Sequence, residues 1–123
     1  MSFFSKFKHL IAASAVLPAL SLFTALPANA ACGLASHYGK GDGYGGQITA
    51  NGERMNPYAM TAASPYLRLG SYVNVTHKGR TIRVRINDRG PYAGGRILDL
   101  SYGAFAALAN PSRGEISVCY ARS

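Results

Sequence analysis

Three short segments of this 123-residue chain carry side chains able to do chemistry. Residues 85–92 read Arg-Ile-Asn-Asp-Arg-Gly-Pro-Tyr, an alternating strand that runs into a turn. The turn sets one carboxylate, Asp88, between Asn87 and Arg89, with Arg85 and Tyr92 close by in sequence. Residues 49–53, Thr-Ala-Asn-Gly-Glu, hold a second acid, Glu53, behind Asn51. A third, Asp99, lies in Arg-Ile-Leu-Asp-Leu-Ser at 96–101. A positioned carboxyl group transfers protons, and does so best when its pKa is near the working pH. Cationic neighbours favour the ionised form and oppose donation, whereas burial or a second carboxylate does the reverse. Glu53 is the candidate for that second carboxylate. Asp88 also has a purely structural role open to it, bonding its own turn or pairing with Arg89. The apolar neighbours of Asp99, and its place just before a helix, favour a structural role near the helix N-terminus.

Other chemistries find little support. Cys32, Cys119 and three scattered histidines show no metal-ligand spacing, so no metal is expected. Neither cysteine sits in a polar, glycine-rich turn that would activate a thiolate. Residues 39–46 hold five glycines in eight. They match neither a dinucleotide fingerprint nor a P-loop, and no Lys-Ser/Thr follows, so no cofactor is expected.

Taken together, Thr49–Glu53, Met60-Thr61-Ala62-Ala63 and Asn87-Asp88-Arg89-Gly90-Pro91 resemble the rare lipoprotein A family, and the resemblance runs along residues 33–120. It implies a mainly β fold, a six-stranded double-psi β-barrel with one main α-helix. The implied activity is that of an endolytic peptidoglycan lytic transglycosylase, which cuts the MurNAc–GlcNAc bond and leaves 1,6-anhydro-MurNAc ends. Asp88 stands where the family has its catalytic Asp, and Glu53 closes the family's polar cleft segment. The resemblance makes Asn51, Asn87 and Arg89 candidates for substrate binding, with Tyr38 and Tyr92 as sugar-stacking rings. Two positions depart from the family: Ser64 stands where relatives carry His, and His37 where they often carry Trp. His37 has two readings, a hydrogen bond to sugar or an ordinary strand residue.

The implied reaction suits a site with one acid. Glycosidases that use water normally need two carboxylates. A lytic transglycosylase protonates the leaving oxygen with one, and the sugar's own 6-hydroxyl then attacks the anomeric carbon. The same carboxylate takes that hydroxyl's proton, and no water is consumed. The same barrel also serves expansins, so a module that binds or loosens wall polysaccharide without turnover is the alternative. A secreted inhibitor or interaction protein is a weaker third.

The rest of the chain must deliver and hold these segments. Lys6 and Lys8, an uncharged apolar run over 10–26 and the small residues Ala28-Asn29-Ala30 form the pattern of a signal peptide over 1–30. Pro18 and the many small residues make that run marginal for a stable membrane span. A lipid anchor on Cys32 would call for a Leu-like residue where Asn29 stands. Residues 31–123 then form one domain, and eleven Lys and Arg against five acids leave it at +6. Such charge suits an anionic partner, whether peptidoglycan, nucleic acid or acidic lipid, and also aids solubility. The resemblance selects peptidoglycan glycan strands, not nucleic acid, and implies a monomer in the periplasm or outside the cell. In an oxidising compartment Cys32 and Cys119 are expected to pair.

Strands are expected at Leu34–Tyr38, Met60–Ala63 and Tyr72–Thr76. Val73 and Val75 share one face of the last. Residues 77–80 form a hairpin loop, after which Ile82, Val84 and Ile86 face one way and Thr81, Arg83 and Arg85 the other. Ser101 is a good N-cap for a helix through Ala104–Leu108, which Asn110-Pro111 stops. Ile116, Val118 and Tyr120 make a final strand. Short strands with one helix in so short a chain read as a small barrel.

Overall fold

The computed structural model describes residues 29–123. The expected signal peptide, except for its last two residues, lies outside the described residues. Six strands follow in chain order: β1 (Ala31–Tyr38), β2 (Thr61–Ala63), β3 (Tyr72–His77), β4 (Arg80–Asp88), β5 (Arg96–Ser101) and β6 (Ile116–Arg122). One helix, α1 (Tyr102–Leu108), and a single 3₁₀ turn (Pro111–Arg113) lie between β5 and β6. The sheet closes on itself in the order β1-β5-β2-β4-β3-β6. The β1/β5 and β2/β4 pairs are parallel and the other pairs antiparallel.

Alternation fills the interior. Val73 and Val75, Val84 and Ile86, Leu98 and Leu100, and Ile116 and Val118 are buried pairs two residues apart, each pointing into the barrel from its own strand. Phe105 and Leu108 from α1 join this core. The helix starts where Ser101 Oγ accepts the amide of Ala104 at 3.0 Å. It ends before Asn110, whose side chain accepts the Ser112 amide and starts the 3₁₀ turn.

Strand boundaries differ from the sequence expectation at several places, and β5 was not among the strands expected. β1 begins at Ala31, three residues early, because Ala31–Ala35 pair antiparallel with β6 before Leu34–Tyr38 pair with β5. β2 begins at Thr61, one residue late. Between β3 and β4 the turn narrows to Lys78-Gly79, both with positive φ (46° and 80°), as a two-residue hairpin demands.

Cys32 and Cys119 face each other across β1 and β6, with Cα atoms 4.0 Å apart, and are joined as a disulfide. The bond fastens the seam between the first and last strands.

Candidate active site

One row of register partners crosses four strands: Ser36 on β1 opposes Asp99 on β5, Asp99 opposes Ala63 on β2, and Ala63 opposes Asp88 on β4. Tyr38, two residues beyond Ser36, therefore shares that strand face. Its hydroxyl reaches Asp88 and donates to Oδ2 at 2.8 Å. The other carboxylate oxygen, Oδ1, accepts the amides of Ala50 at 2.9 Å and Arg89 at 3.0 Å. A carboxylate offers about four lone-pair sites, so three donors leave one free on Oδ2. Asp88 is half-buried beside a cleft of about 470 Å³. Burial first, and then the hydrogen bond to the Asp88 carboxylate, push the Tyr38 hydroxyl's pKa far up, so Tyr38 remains a donor.

The donors arrive by different routes. Tyr38 ends β1. The Arg89 amide belongs to the turn after β4, which Gly90 permits with φ 113°. Ala50 is brought in by Glu53. That carboxylate takes two parallel bonds from Arg85, at 2.7 and 2.9 Å, one from Asn51 Nδ2 at 2.8 Å and one from Asn87 Nδ2 at 3.0 Å. The bidentate fork is the strong form of an Arg–carboxylate pair. The Arg85 guanidinium, followed by the two Asn side chains, holds the Glu53 carboxyl down at about 2. The network straps residues 49–53 to β4, where the Asn51 amide also donates to the Asn87 carbonyl at 3.2 Å. Asn87 is buried, and its Oδ1 has no protein partner among the described residues.

Glu53 was expected as the carboxylate neighbour that would oppose ionisation of Asp88. It is instead neutralised by Arg85, in the one ion pair among the described residues. The carboxyl in the register row of Asp88 is Asp99, two strands away, or about 10 Å at ordinary strand spacing. Asp99 accepts from Ser36 Oγ at 2.9 Å, and Arg96 donates to the same Ser36 hydroxyl at 2.9 Å. Burial pushes its carboxyl up. The helix N-terminus is capped by Ser101, not by Asp99.

Arg89 makes no ion pair with Asp88. Its Nη1 donates to the carbonyls of Ser64 at 3.1 Å and Leu67 at 2.6 Å, clamping the loop after β2. Ser64 is fully buried there. Its Oγ accepts the amides of Tyr66 and Leu67, and its own amide donates to the Asp88 carbonyl at 3.1 Å. His37 turns away from the cleft. Its Nε2 donates to the Pro111 carbonyl at 2.9 Å, and its ring packs edge-on against Phe105 and Tyr102. Tyr92 is 78% exposed and lines a separate hollow rather than the Asp88 cleft.

Sequence reasoning missed the opposite wall of the cleft. Asp42 Oδ2 accepts the Gly39 amide and Oδ1 the Tyr44 amide, at 2.8 and 3.0 Å, folding the glycine-rich loop back on itself. Tyr44 and Ile48 are thereby held over the cleft, each 59% exposed, with Tyr44 edge-on to Tyr38 at 6.0 Å. The glycine density signalled a loop, and Asp-Gly within it signalled a turn, but neither told which way the loop folds.

A family model described as "Lytic transglycolase" matches residues 30–120. Among curated relatives, "Probable endolytic peptidoglycan transglycosylase RlpA" from Nostoc sp. is 56% identical over 78 residues, which is 62% of this chain and 21% of the relative. The chain thus spans about a fifth of that relative's length. Among solved structures, the Streptomyces papain inhibitor superposes with a TM-score of 0.62 at 26% identity, covering 76% of this chain and 93% of the inhibitor. The expansin of Clavibacter michiganensis gives the same TM-score and identity, over 76% of this chain and 50% of the expansin. Both partner structures bear out the mainly β barrel expected from the sequence.

Proposed function

Since the chain belongs to the lytic transglycolase family, we propose that its barrel cuts peptidoglycan glycan strands as an endolytic lytic transglycosylase. The observation that carries the reading is that Asp88 stands beside the cleft held by a neutral tyrosine hydroxyl and two backbone amides, with no cation paired to it among the described residues. Two acids line the cleft, Asp42 and Asp88. Both oxygens of Asp42 are taken by backbone amides, and Glu53 is held ionised against Arg85. Asp88 keeps one lone pair free beside the cleft, whereas Asp42 serves to fold the glycine-rich loop. A hydrolase would need a second free carboxylate to activate water or attack the sugar; the transglycosylase reaction does not.

In this mechanism the protonated Asp88 carboxyl gives its proton to the GlcNAc oxygen that leaves MurNAc C1. The bond from C1 to that oxygen breaks, and the MurNAc 6-hydroxyl oxygen bonds to C1. The Asp88 carboxylate accepts the 6-hydroxyl proton and is ready for another turn. Tyr38, Ala50 and Arg89 keep the carboxyl from rotating, which supplies orientation in advance. Glu53, Asn51 and Asn87 act as positioning residues, since they hold the turn that presents the Ala50 amide. Tyr44 and Ile48 offer apolar faces to the sugar ring.

The proposal includes removal of residues 1–30 and action as a monomer on the periplasmic or outer side of the membrane. Among the described residues no helix is long and apolar enough to cross a membrane. One observation favours a second reading, binding without turnover. Ser64, where relatives carry His, is a buried turn cap and offers no titratable assistant to Asp88. Incubating residues 31–123 with purified glycan strands and reading the products by mass spectrometry separates the two. Anhydro-MurNAc ends support cleavage; binding with no new ends supports the second reading.

A further inference from the structure

The two most exposed large rings among the described residues are Tyr66 at 88% and Tyr92 at 78%, and the Asp88 cleft uses neither. Both line one hollow of about 590 Å³, with Pro65, Pro91, Ile97 and Tyr120 among its other walls. No acid lines it, and its single cation, Arg96, is already engaged by Ser36 Oγ and the Ala93 carbonyl. Each exposed ring follows a proline, whose fixed φ stiffens its loop. Leaving two large rings in water with stiff supports is the pattern of a prepared binding surface.

The hollow is joined to the Asp88 cleft through the chain itself. Tyr92 lies four positions after Asp88, a reach of at most about 14 Å. Arg89 lines the cleft with Asp88 while its guanidinium grips the carbonyls of Ser64 and Leu67, on either side of Tyr66. The Ser64 amide in turn donates to the Asp88 carbonyl. One clamp therefore fixes both rings relative to the acid.

We infer that the Tyr66–Tyr92 hollow is an extension subsite that stacks pyranose rings of the same glycan strand whose glycosidic bond lies at Asp88. The inference rests on the glycan-cleaving reading above. The occupant is set by three features: aromatic faces that suit the apolar faces of sugar rings, the lack of an uncommitted charge that would select an ion, and the short, clamped link along the chain to Asp88. The subsite makes the site prefer long strands, because only a strand several sugars long reaches both Asp88 and the two rings.

The test measures affinity for stem-peptide-free glycan strands, separated by length, in the Asp88→Asn background so that nothing is cut during the measurement. Adding Tyr66→Ala or Tyr92→Ala should weaken long-strand binding about fivefold to tenfold per ring, the scale of an aromatic stacking contact. Binding of a disaccharide should change by less than about twofold, since it is too short to span from the cleft to the rings. Tyr66→Phe and Tyr92→Phe keep the ring face and should bind long strands like the parent. Equal loss at both lengths, or no loss at either, overturns the subsite and leaves the cleavage reading standing. If the Asp88→Asn protein binds no strand of any length and the wild type cuts none, the cleavage reading falls and the subsite with it.

Discussion

Tyr38 donates its hydroxyl proton to Asp88 Oδ2 at 2.8 Å although their strands are not neighbours in the barrel. β5 and β2 lie between β1 and β4, and the tyrosine reaches past both. One side chain thus ties the acid to the far side of the sheet that carries it. Burial, followed by the carboxylate, keeps the hydroxyl un-ionised, so it remains a donor.

Tyr38→Phe should lower kcat on glycan strands and lower the melting temperature by several degrees, while leaving KM nearly unchanged. A hydrogen bond to a charged group is worth about 1.5–3 kcal/mol, so a loss of roughly 10- to 100-fold is expected. A parallel rise in KM would instead mean that the hydroxyl binds sugar directly.

Asp88→Asn should abolish formation of anhydro ends while strands still bind. The amide keeps the carboxyl's shape but has no proton to give the leaving oxygen. Removing a general acid costs about 10²–10⁴-fold in rate. Cleavage by the Asn variant at the wild-type rate would remove Asp88 from the chemistry.

Glu53 makes a prediction about acid stability. Its carboxyl is held at about 2, against an ordinary value of 4.5. A lowered carboxyl pKa stabilises the fold above the ordinary value, and that stability is lost as pH falls from 4.5 towards 2. Melting temperature should therefore drop across this window in the wild type and much less in Glu53→Gln. The pair is partly exposed, which keeps the effect modest. Glu53→Gln should also slow cleavage less than Asp88→Asn, because Glu53 only positions the turn.

Ser64→His puts the family's side chain back, but at a position that is 1% exposed and whose hydroxyl caps two amides. Overpacking a core position costs about 1–3 kcal/mol. The variant should melt lower than Ser64→Ala, which loses only the cap. Cleavage should not rise, since a ring forced into this turn disturbs the loop that Arg89 clamps.

Breaking the disulfide with Cys32→Ser and Cys119→Ser should lower stability by up to about 4–5 kcal/mol, on the chain-entropy account of so long a loop. Denaturant unfolding of both forms measures this. A change below about 1 kcal/mol would mean that the reduced chain already keeps its ends together.

Much of the barrel was legible because alternation is a direct record of which side chains point inward. Val73 and Val75, Val84 and Ile86, and Ile116 and Val118 follow from period two alone, and Ser101 announces the helix by its cap. The closing order of the strands was not written in that pattern. Two parallel pairs join strands far apart in the chain, and only the family resemblance implied them. At the site, the motif around Asp88 located the acid but misjudged its company. Arginines near in sequence point to different places: Arg85 to Glu53, Arg89 to two carbonyls and Arg96 to Ser36. Tyr92 shows the same limit. Four residues from Asp88, it stands on the other side of the clamp. Tyr44 escaped notice because the fold of a glycine-rich loop depends on which amides Asp42 collects, and that is settled only in three dimensions.

The bond between Cys32 and Cys119 spans 87 positions of sequence, so its two halves are made at very different times. A chain that grows or is threaded from its N-terminus carries Cys32 as a lone thiol until β6 arrives. The finished bond is therefore a receipt for a complete domain. Any chain broken off before residue 119 is left with a free sulfhydryl at Cys32 and an unfastened seam.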